Sequence, residues 1–127
     1  MKKLIFIIVC FLSIKAIGQD SAKNEKQYLG ILIPTDKYKD EKNWTEKEQS
    51  IVNEHFQRFI KMKNDGILIL AGRTELELND PNMMGLVIFY AKDDKEALQF
   101  MMDDPAVKNK IMAAKVLPYN IAVSKCP

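Results

Sequence analysis

The feature that most constrains this chain is the alternation of short apolar runs with segments whose apolar residues recur at helical spacing. Runs of this length and composition predict buried strands. The predicted strands cover residues 28–33, 67–72, 84–91 and 115–123, and the TELEL sequence at 74–78 is predicted to continue the second strand. Pro118 has no amide proton, so it favours an edge position for the last strand.

Two of the intervening segments are predicted to be amphipathic helices. Thr45 and Glu48 form a capping-box pattern at the start of the first helix, and Gly66 is expected to end it. The apolar stripe of this helix consists of Ile51, Val52, His55, Phe56, Phe59 and Met62, and Arg58, Lys61 and Lys63 are expected on other faces. The second helix is predicted at 93–102, and Asp104 with Pro105 starts a short further turn or helix that reaches about Met112.

The order β-α-β-β-α-β is that of a ferredoxin-like α+β domain, in which both helices cover one face of a four-stranded antiparallel sheet. The runs ILILAG and GLVIFYA are apolar on both sides, so the helix-free face is also expected to be buried. A chain of 127 residues is one domain by size, and a second copy is the expected cover. We therefore predict a homodimer through the sheet face.

Residues 1–19 are typical of a secretory signal peptide, because Lys2 and Lys3 precede an apolar stretch that ends in small residues. An uncleaved membrane anchor is the alternative, but the stretch is about half the ~20 residues that a bilayer span needs. Residues 20–27 are polar and are interpreted as a flexible leader to a domain at 28–123. The prediction is an exported protein, periplasmic or extracellular, with no membrane attachment after cleavage.

Composition argues against several classes of function. The chain has 19 Lys and Arg against 17 Asp and Glu, and cleavage would remove three of the lysines, so the domain is close to neutral. A near-neutral domain without a basic stripe gives no electrostatic case for a nucleic-acid partner. One histidine, together with the lone Cys126 that would remain, is too little for a zinc site. Cys126 is expected to be a free thiol or to pair between two chains.

Four residues are candidates for chemistry or binding. His55 lies in an apolar stripe, where a neutral, hydrogen-bonded imidazole is a common structural arrangement, and catalysis needs a second polar group. Asp104 is the candidate partner, although an Asp before Pro is also typical of a helix start. Gly72 at a strand end allows either a bulge or the close approach of a ligand. Arg73 could bind a carboxylate or phosphate, or remain solvated.

Taken in order, these motifs resemble the YciI-like (YCII-related) family over about residues 28–123: a helix with EHFQRF, DG, a strand ending in AG, an EAL helix and DPAV. The resemblance implies a ferredoxin-like domain that associates as a dimeric α+β barrel, with a His and an Asp that meet in a cleft and are proposed as a catalytic dyad. One branch of that family removes chloride from a chlorinated hydroxyhydroquinone. By motif, the pair would be His55 and Asp104, and the Gly of the family's AGP would be Gly72.

The sequence departs from the family pattern at three places. Arg73 stands where the family usually has Pro, Ala106 and Val107 replace an aromatic residue, and residues 108–110 lack the usual Gly. These departures bear on the substrate pocket more than on the fold.

A carboxylate bonded to one imidazole nitrogen fixes the tautomer and makes the other nitrogen a better base. We therefore expect His55 and Asp104 to be the catalytic residues and Gly72 and Arg73 to bind substrate. The expected reaction is of the lyase or isomerase type on a small, aromatic substrate, with no cofactor and no metal. The alternative is a non-catalytic dimeric module of the same fold that binds a small molecule or another protein. A cofactor-free quinol monooxygenase activity is a third idea, drawn from shared architecture alone.

Overall fold

A computed structural model of the protein describes residues 25–125. The predicted signal segment, residues 20–24 of the predicted leader and Cys126 lie outside this range. Within it the chain forms β1 (Lys26–Pro34), α1 (Glu46–Asn64), β2 (Leu68–Arg73), β3 (Gly85–Ala91), α2 (Asp94–Met102), α3 (Pro105–Lys108) and β4 (Met112–Pro118), with 3₁₀ turns at Asp36–Lys39 and Glu41–Asn43. No helix within these residues is long and apolar enough to cross a membrane.

The strands form one antiparallel sheet in the order β2-β3-β1-β4. In the centre of the sheet, Leu29 of β1 lies opposite Ile88 of β3 on one side and Leu117 of β4 on the other. This order, with the helices inserted after β1 and β3, is the ferredoxin-like α+β fold, so the predicted fold class is confirmed. As Pro118 indicated, β4 is an edge strand, and it ends at that residue.

The hydrophobic core lies between the helices and one face of the sheet. Alternate residues of the central strands and two helix residues meet there; they are Tyr28, Leu32, Val87, Phe89, Phe59 and Met101. Gly30 in β1 belongs to the same face, and a Cβ built on it would lie 2.7 Å from the sulfur of Met101. The absence of a side chain at Gly30 therefore lets α2 pack directly on β1.

Strand residues of the opposite parity face away from the helices. Register places on this open face Leu29, Ile31 and Ile33 of β1, Leu86, Ile88 and Tyr90 of β3, Leu70 of β2, and Lys115 and Leu117 of β4. Ile33, Leu70 and Leu117 are among the exposed large apolar residues of the described chain. The open face is therefore largely apolar, as expected from the sequence.

The first helix begins as predicted and carries a buried acid in its cap. The Glu48 carboxylate accepts hydrogen bonds from the amide of Thr45 at 3.1 Å, from the Thr45 hydroxyl, and from the hydroxyl of Tyr38 at 3.1 Å. The bond from the Thr45 hydroxyl is the main cause that lowers the pKa of Glu48 from an ordinary 4.5 to about 2. Gly66, with φ of 75°, follows the end of α1, as predicted.

Element ends differ from the prediction at several points. The predicted continuation of β2 over 74–78 is wrong: β2 ends at Arg73 opposite Gly85, where β3 begins, so TELEL has no strand to pair with. Only Thr74 extends the pairing, by donating its amide proton to the carbonyl of Met84 at 2.9 Å. β4 covers Met112–Pro118 rather than 115–123, α3 ends at Lys108, and β1 begins at Lys26 within the predicted leader.

Candidate functional site

His55 and Asp104 are 49 positions apart in the chain and lie in hydrogen-bonding contact. His55 is in the middle of α1, and its ring stands edge-on to Phe59, with the ring centroids 4.5 Å apart. Its Nδ1 is 2.8 Å from each of the two carboxylate oxygens of Asp104. The structure thus brings together the two residues that the sequence and the family resemblance singled out as a pair.

Asp104 is completely buried, at 0% exposure, and it also starts α3. Its Oδ1 accepts a hydrogen bond of 2.9 Å from the amide of Ala106, and Pro105 occupies the first helical position. The helix-start role considered from the sequence is therefore present and coexists with the contact to His55. One carboxylate can do both, since its two oxygens offer about four acceptor sites.

The hydrogen bond fixes where the neutral imidazole carries its proton. An ionised carboxylate only accepts, so Nδ1 of His55 must be the donor and Nε2 the unprotonated nitrogen. Nε2 has no hydrogen-bond partner within residues 25–125, and no buried side-chain nitrogen or oxygen in that range lacks a partner. Nε2 is therefore open to solvent, as a general base must be.

Arg58 contacts the same carboxylate. Its Nη1 lies 3.5 Å from Oδ2 of Asp104, so the expectation that Arg58 points to another face of α1 is wrong. The side chain is partly buried, and burial lowers the pKa of Arg58, an effect that the negative charges of Asp104 and Asp103 oppose. The missed signal was spacing: residues three apart on a helix share a face, and Arg58 follows His55 by three.

An open groove of about 1120 Å³ borders the His55 ring. It runs between α1, β2 and the loop that links β2 to β3, and most of its lining is apolar. The aromatic and sulfur-containing side chains along it are Trp44, Phe56, Phe59, Met83 and Met112, and the charged ones are Glu41, Lys63, Arg73, Glu75 and Glu77. Asp104 and Arg58 do not line the groove, so any effect they have on a molecule bound there must pass through His55.

Gly72 and Arg73, the predicted substrate-binding residues, both line this groove. Arg73 lies opposite Gly85, so it shares the helix-covered side of the sheet, and it has no ion pair within the described chain. Gly72 pairs with Leu86, so it belongs to the open face of the sheet, and nothing lies within 4 Å of a Cβ built on it. The bulge considered for Gly72 instead falls between Leu68 and Leu70.

The described residues contain no group of three or more His, Cys, Asp or Glu side chains arranged to hold a metal ion.

The profile of the YCII-related domain matches residues 31–120. The chain belongs to the YCII-related family. The match extends from within β1 to just beyond β4, so it includes α1 with His55 and α3 with Asp104. A search of curated proteins gave no match.

One departure from the YCII-related pattern has a visible structural counterpart. Lys110 belongs to the segment where the family usually has Gly, and its φ of 58° makes it the sole non-glycine residue with positive φ in the described range. Its carbonyl accepts a hydrogen bond of 2.8 Å from the hydroxyl of Thr35. Lys110 therefore adopts the left-handed conformation in the turn after α3, although a residue with a Cβ adopts it less easily than glycine.

Trp44 and Lys63 are among the groove residues that were not predicted as site residues. The Nε1 of Trp44 donates to the carbonyl of Tyr38 at 2.9 Å, and the ring lines the groove. Lys63 was expected on another face of α1 but also lines the groove. Helical spacing does indicate Lys63, which follows Phe59 by four positions and shares its face of α1. Trp44 lies before α1, so helical spacing says nothing of its position. As the only tryptophan of the chain, Trp44 is an intrinsic fluorescent probe of this site.

Proposed function

We propose that this YCII-related protein is a cofactor-independent acid–base enzyme of the lyase or isomerase type, in which His55 transfers protons and Asp104 orients it. The observation that carries the proposal is the fixed imidazole. Its Nδ1 lies 2.8 Å from both oxygens of a buried carboxylate, while the ring borders an apolar groove. This arrangement leaves Nε2 as the basic nitrogen.

In the proposed reaction, Nε2 of His55 takes a proton from an activated carbon or a phenol of the substrate. The positive charge that forms on the imidazole is stabilised by the Asp104 carboxylate. Return of the proton to a different carbon gives an isomer. Loss of an anionic group from the neighbouring carbon gives an elimination product, and the proton then leaves to solvent. Both outcomes balance without an oxidant or a reductant.

The groove favours a small, largely apolar substrate. Trp44, Phe56 and Phe59 offer aromatic surface for a ring. Arg73 has no ion pair in the described chain, and its planar fork suits a carboxylate or phenolate oxygen. Gly72, beside it, leaves the strand end without a side chain. We propose these two residues as the substrate-binding pair at the end of β2.

The test is proton exchange, because it needs only that a substrate bind and lose a proton. The protein is incubated in D₂O with a panel of hydroxyquinols, cyclic diketones and small lactones, and deuterium uptake is followed by NMR. We expect uptake at a substrate carbon, reduced by at least about a hundredfold in His55→Asn, since general acid–base groups contribute ~10²–10⁴-fold. Gln57→Asn, an exposed change two residues away on α1, is the matched control.

Equal uptake in wild type and His55→Asn would exclude His55 as the base. Binding without exchange would instead favour the second candidate, a non-catalytic module that binds a small apolar molecule. The exposure of the groove favours that candidate: Phe56 is 56% exposed and Ile60 39%, more than is usual for a closed catalytic pocket. Quenching of Trp44 fluorescence by the same panel measures this binding directly.

The protein is further proposed to be a homodimer that pairs its open sheet faces. The apolar residues of that face, with exposed Ile33, Leu70 and Leu117, support this, because a large apolar surface is commonly covered by a partner.

Export to the periplasm or the exterior is proposed from the signal-like sequence of residues 1–19. The mass of the chain recovered from fractionated cells tests it; an intact Met1 in the cytoplasmic fraction would contradict it.

A further inference from the structure

Arg58 is fixed at both ends of its guanidinium group. Nη2 donates to the carbonyl of Phe100 at 2.5 Å, and the group lies over the Phe100 ring, 4.6 Å from its centroid. Phe100 itself stacks on Phe89 of β3, with the centroids 4.5 Å apart and the planes 13° from parallel. The position of the guanidinium is thereby tied to the sheet, because it lies over a ring that is itself stacked on Phe89.

The Phe100 carbonyl needs such a donor. It belongs to the last turn of α2, where the final four carbonyls have no partner within the helix. The amides of Asp103 and Asp104 bond to the carbonyls of Gln99 and Met101, which leaves the Phe100 carbonyl to Arg58. The negative end of the helix dipole also favours a cation here. Arg58 is thus placed by α2 rather than by the carboxylate.

Asp104 needs a cation as well. Its carboxylate is completely buried, and burying a charge is costly unless it is paired. While His55 is neutral, Arg58 is the one cation within 4.0 Å of that carboxylate in residues 25–125. Its remaining neutral partners are the His55 Nδ1–H and the Ala106 amide.

We propose that Arg58 is a positioning residue of the His55–Asp104 pair: by bridging the Phe100 carbonyl and Asp104 Oδ2, it gives the buried carboxylate a cationic partner and keeps it aimed at Nδ1. His55 then keeps its proton on Nδ1 and its lone pair on Nε2. The inference rests on the proposed function and adds a third residue, on α1, whose effect on substrate passes only through Asp104 and His55.

The tautomer of His55 provides the test without any substrate. His55 is the only histidine of the chain, so its ring nitrogens give unambiguous ¹⁵N signals in alkaline buffer, where an imidazole is neutral. We expect the wild type to show Nδ1 protonated and Nε2 unprotonated. Arg58→Gln, which removes the charge and keeps an amide donor, should show a mixture of tautomers. Arg58→Lys, a single charge without the planar fork, should be intermediate.

An unchanged tautomer in either Arg58 variant, provided that it is folded by circular dichroism, would overturn the proposal. Gln57→Glu on the exposed side of α1 is the control for surface charge changes and should retain the wild-type signals. With a substrate in hand, Arg58→Gln should lower the turnover rate about tenfold with little change in KM. The acid–base proposal has a separate test. It fails if His55→Asn retains deuterium exchange into the substrate, whichever tautomer the Arg58 variants show.

Discussion

Asp104 combines two roles that usually fall to separate residues. It starts α3 through its bond to the Ala106 amide, and it faces His55 and Arg58 across the interface with α1. A helix-start residue is normally exposed, whereas this one is completely buried. The capping role and the packing of α3 on α1 therefore depend on one side chain.

Substitution of Asp104 separates these roles. Asp104→Asn keeps a capping side chain of the same shape, so the loss in free energy of unfolding should be about 1 kcal/mol. Like Asp104→Asn, Asp104→Ala leaves Arg58 without its carboxylate partner, but it also removes the cap and the side-chain contact to His55, and it should cost about 3 kcal/mol. Urea unfolding followed by Trp44 fluorescence measures both. Equal losses in the free energy of unfolding of the two variants would show that the cap does not contribute to stability.

At Lys110, by contrast, a substitution is expected to increase the stability of the protein. Because its φ of 58° is costly for a residue with a Cβ, Lys110→Gly should raise the free energy of unfolding by about 1 kcal/mol. Lys108→Gly is the matched control, since Lys108 is helical and Gly there should destabilise by a similar amount. Thermal unfolding compares the two variants. A loss of stability in both would mean that the turn after α3 is not strained.

At the scale of elements, the start of α1 predicts a response to acid. The pKa of Glu48 in the folded protein, about 2, lies below the ordinary 4.5, so its contribution to stability is present above pH 4.5 and is lost as the pH falls toward 2. The stability difference between wild type and Glu48→Gln should therefore be largest near neutral pH and shrink over that interval. Urea midpoints measured across this range provide the comparison.

Thr45→Ala is the companion variant, because the Thr45 hydroxyl is the main cause of the lowered pKa. It should reduce the dependence of stability on pH between 4.5 and 2. Parallel curves for wild type and Glu48→Gln over the whole interval would contradict the role given to this cap.

Elements were predictable where local chemistry decides them. The capping box, the stripe from Ile51 to Met62 and Gly66 are contiguous signals, and α1 follows them closely. The strand prediction for TELEL was wrong because alternation specifies a strand only when a partner strand is available, and β3 begins too late to pair with it.

In the site, the order of the motifs was enough to predict the pairing of His55 with Asp104. The spacing of Arg58 from His55 places both on one face of α1. Its contact with the Phe100 carbonyl was not predictable, because that group belongs to the backbone of a helix 42 positions away.

At the scale of the whole molecule, the two faces of the sheet differ in what covers them. One is covered by helices, and the other presents alternate apolar residues of all four described strands. The proposed dimer joins two such faces. Its geometry was expected from apolar residues on both sides of ILILAG and GLVIFYA.

Substitution in the centre of the open face tests the dimer. Ile88 is flanked by Leu29 and Leu70 on neighbouring strands, so Ile88→Lys would place a charge among apolar residues of both copies. We expect the mass in solution, measured by light scattering after size exclusion, to fall from that of two chains to that of one. Gln57→Lys on the exposed side of α1 should leave it unchanged. A monomeric wild type, or a dimeric Ile88→Lys, would exclude this interface.

The double use of Asp104 affects how other sequences of this kind are interpreted. Because Asp104 and Pro105 begin α3, the Asp-Pro pair has a structural role that does not depend on the proposed chemistry. The pair is thus a poor marker of activity when it is found alone. His55 makes no side-chain hydrogen bond to the backbone, so its identity in related chains bears more directly on the proposed acid–base role.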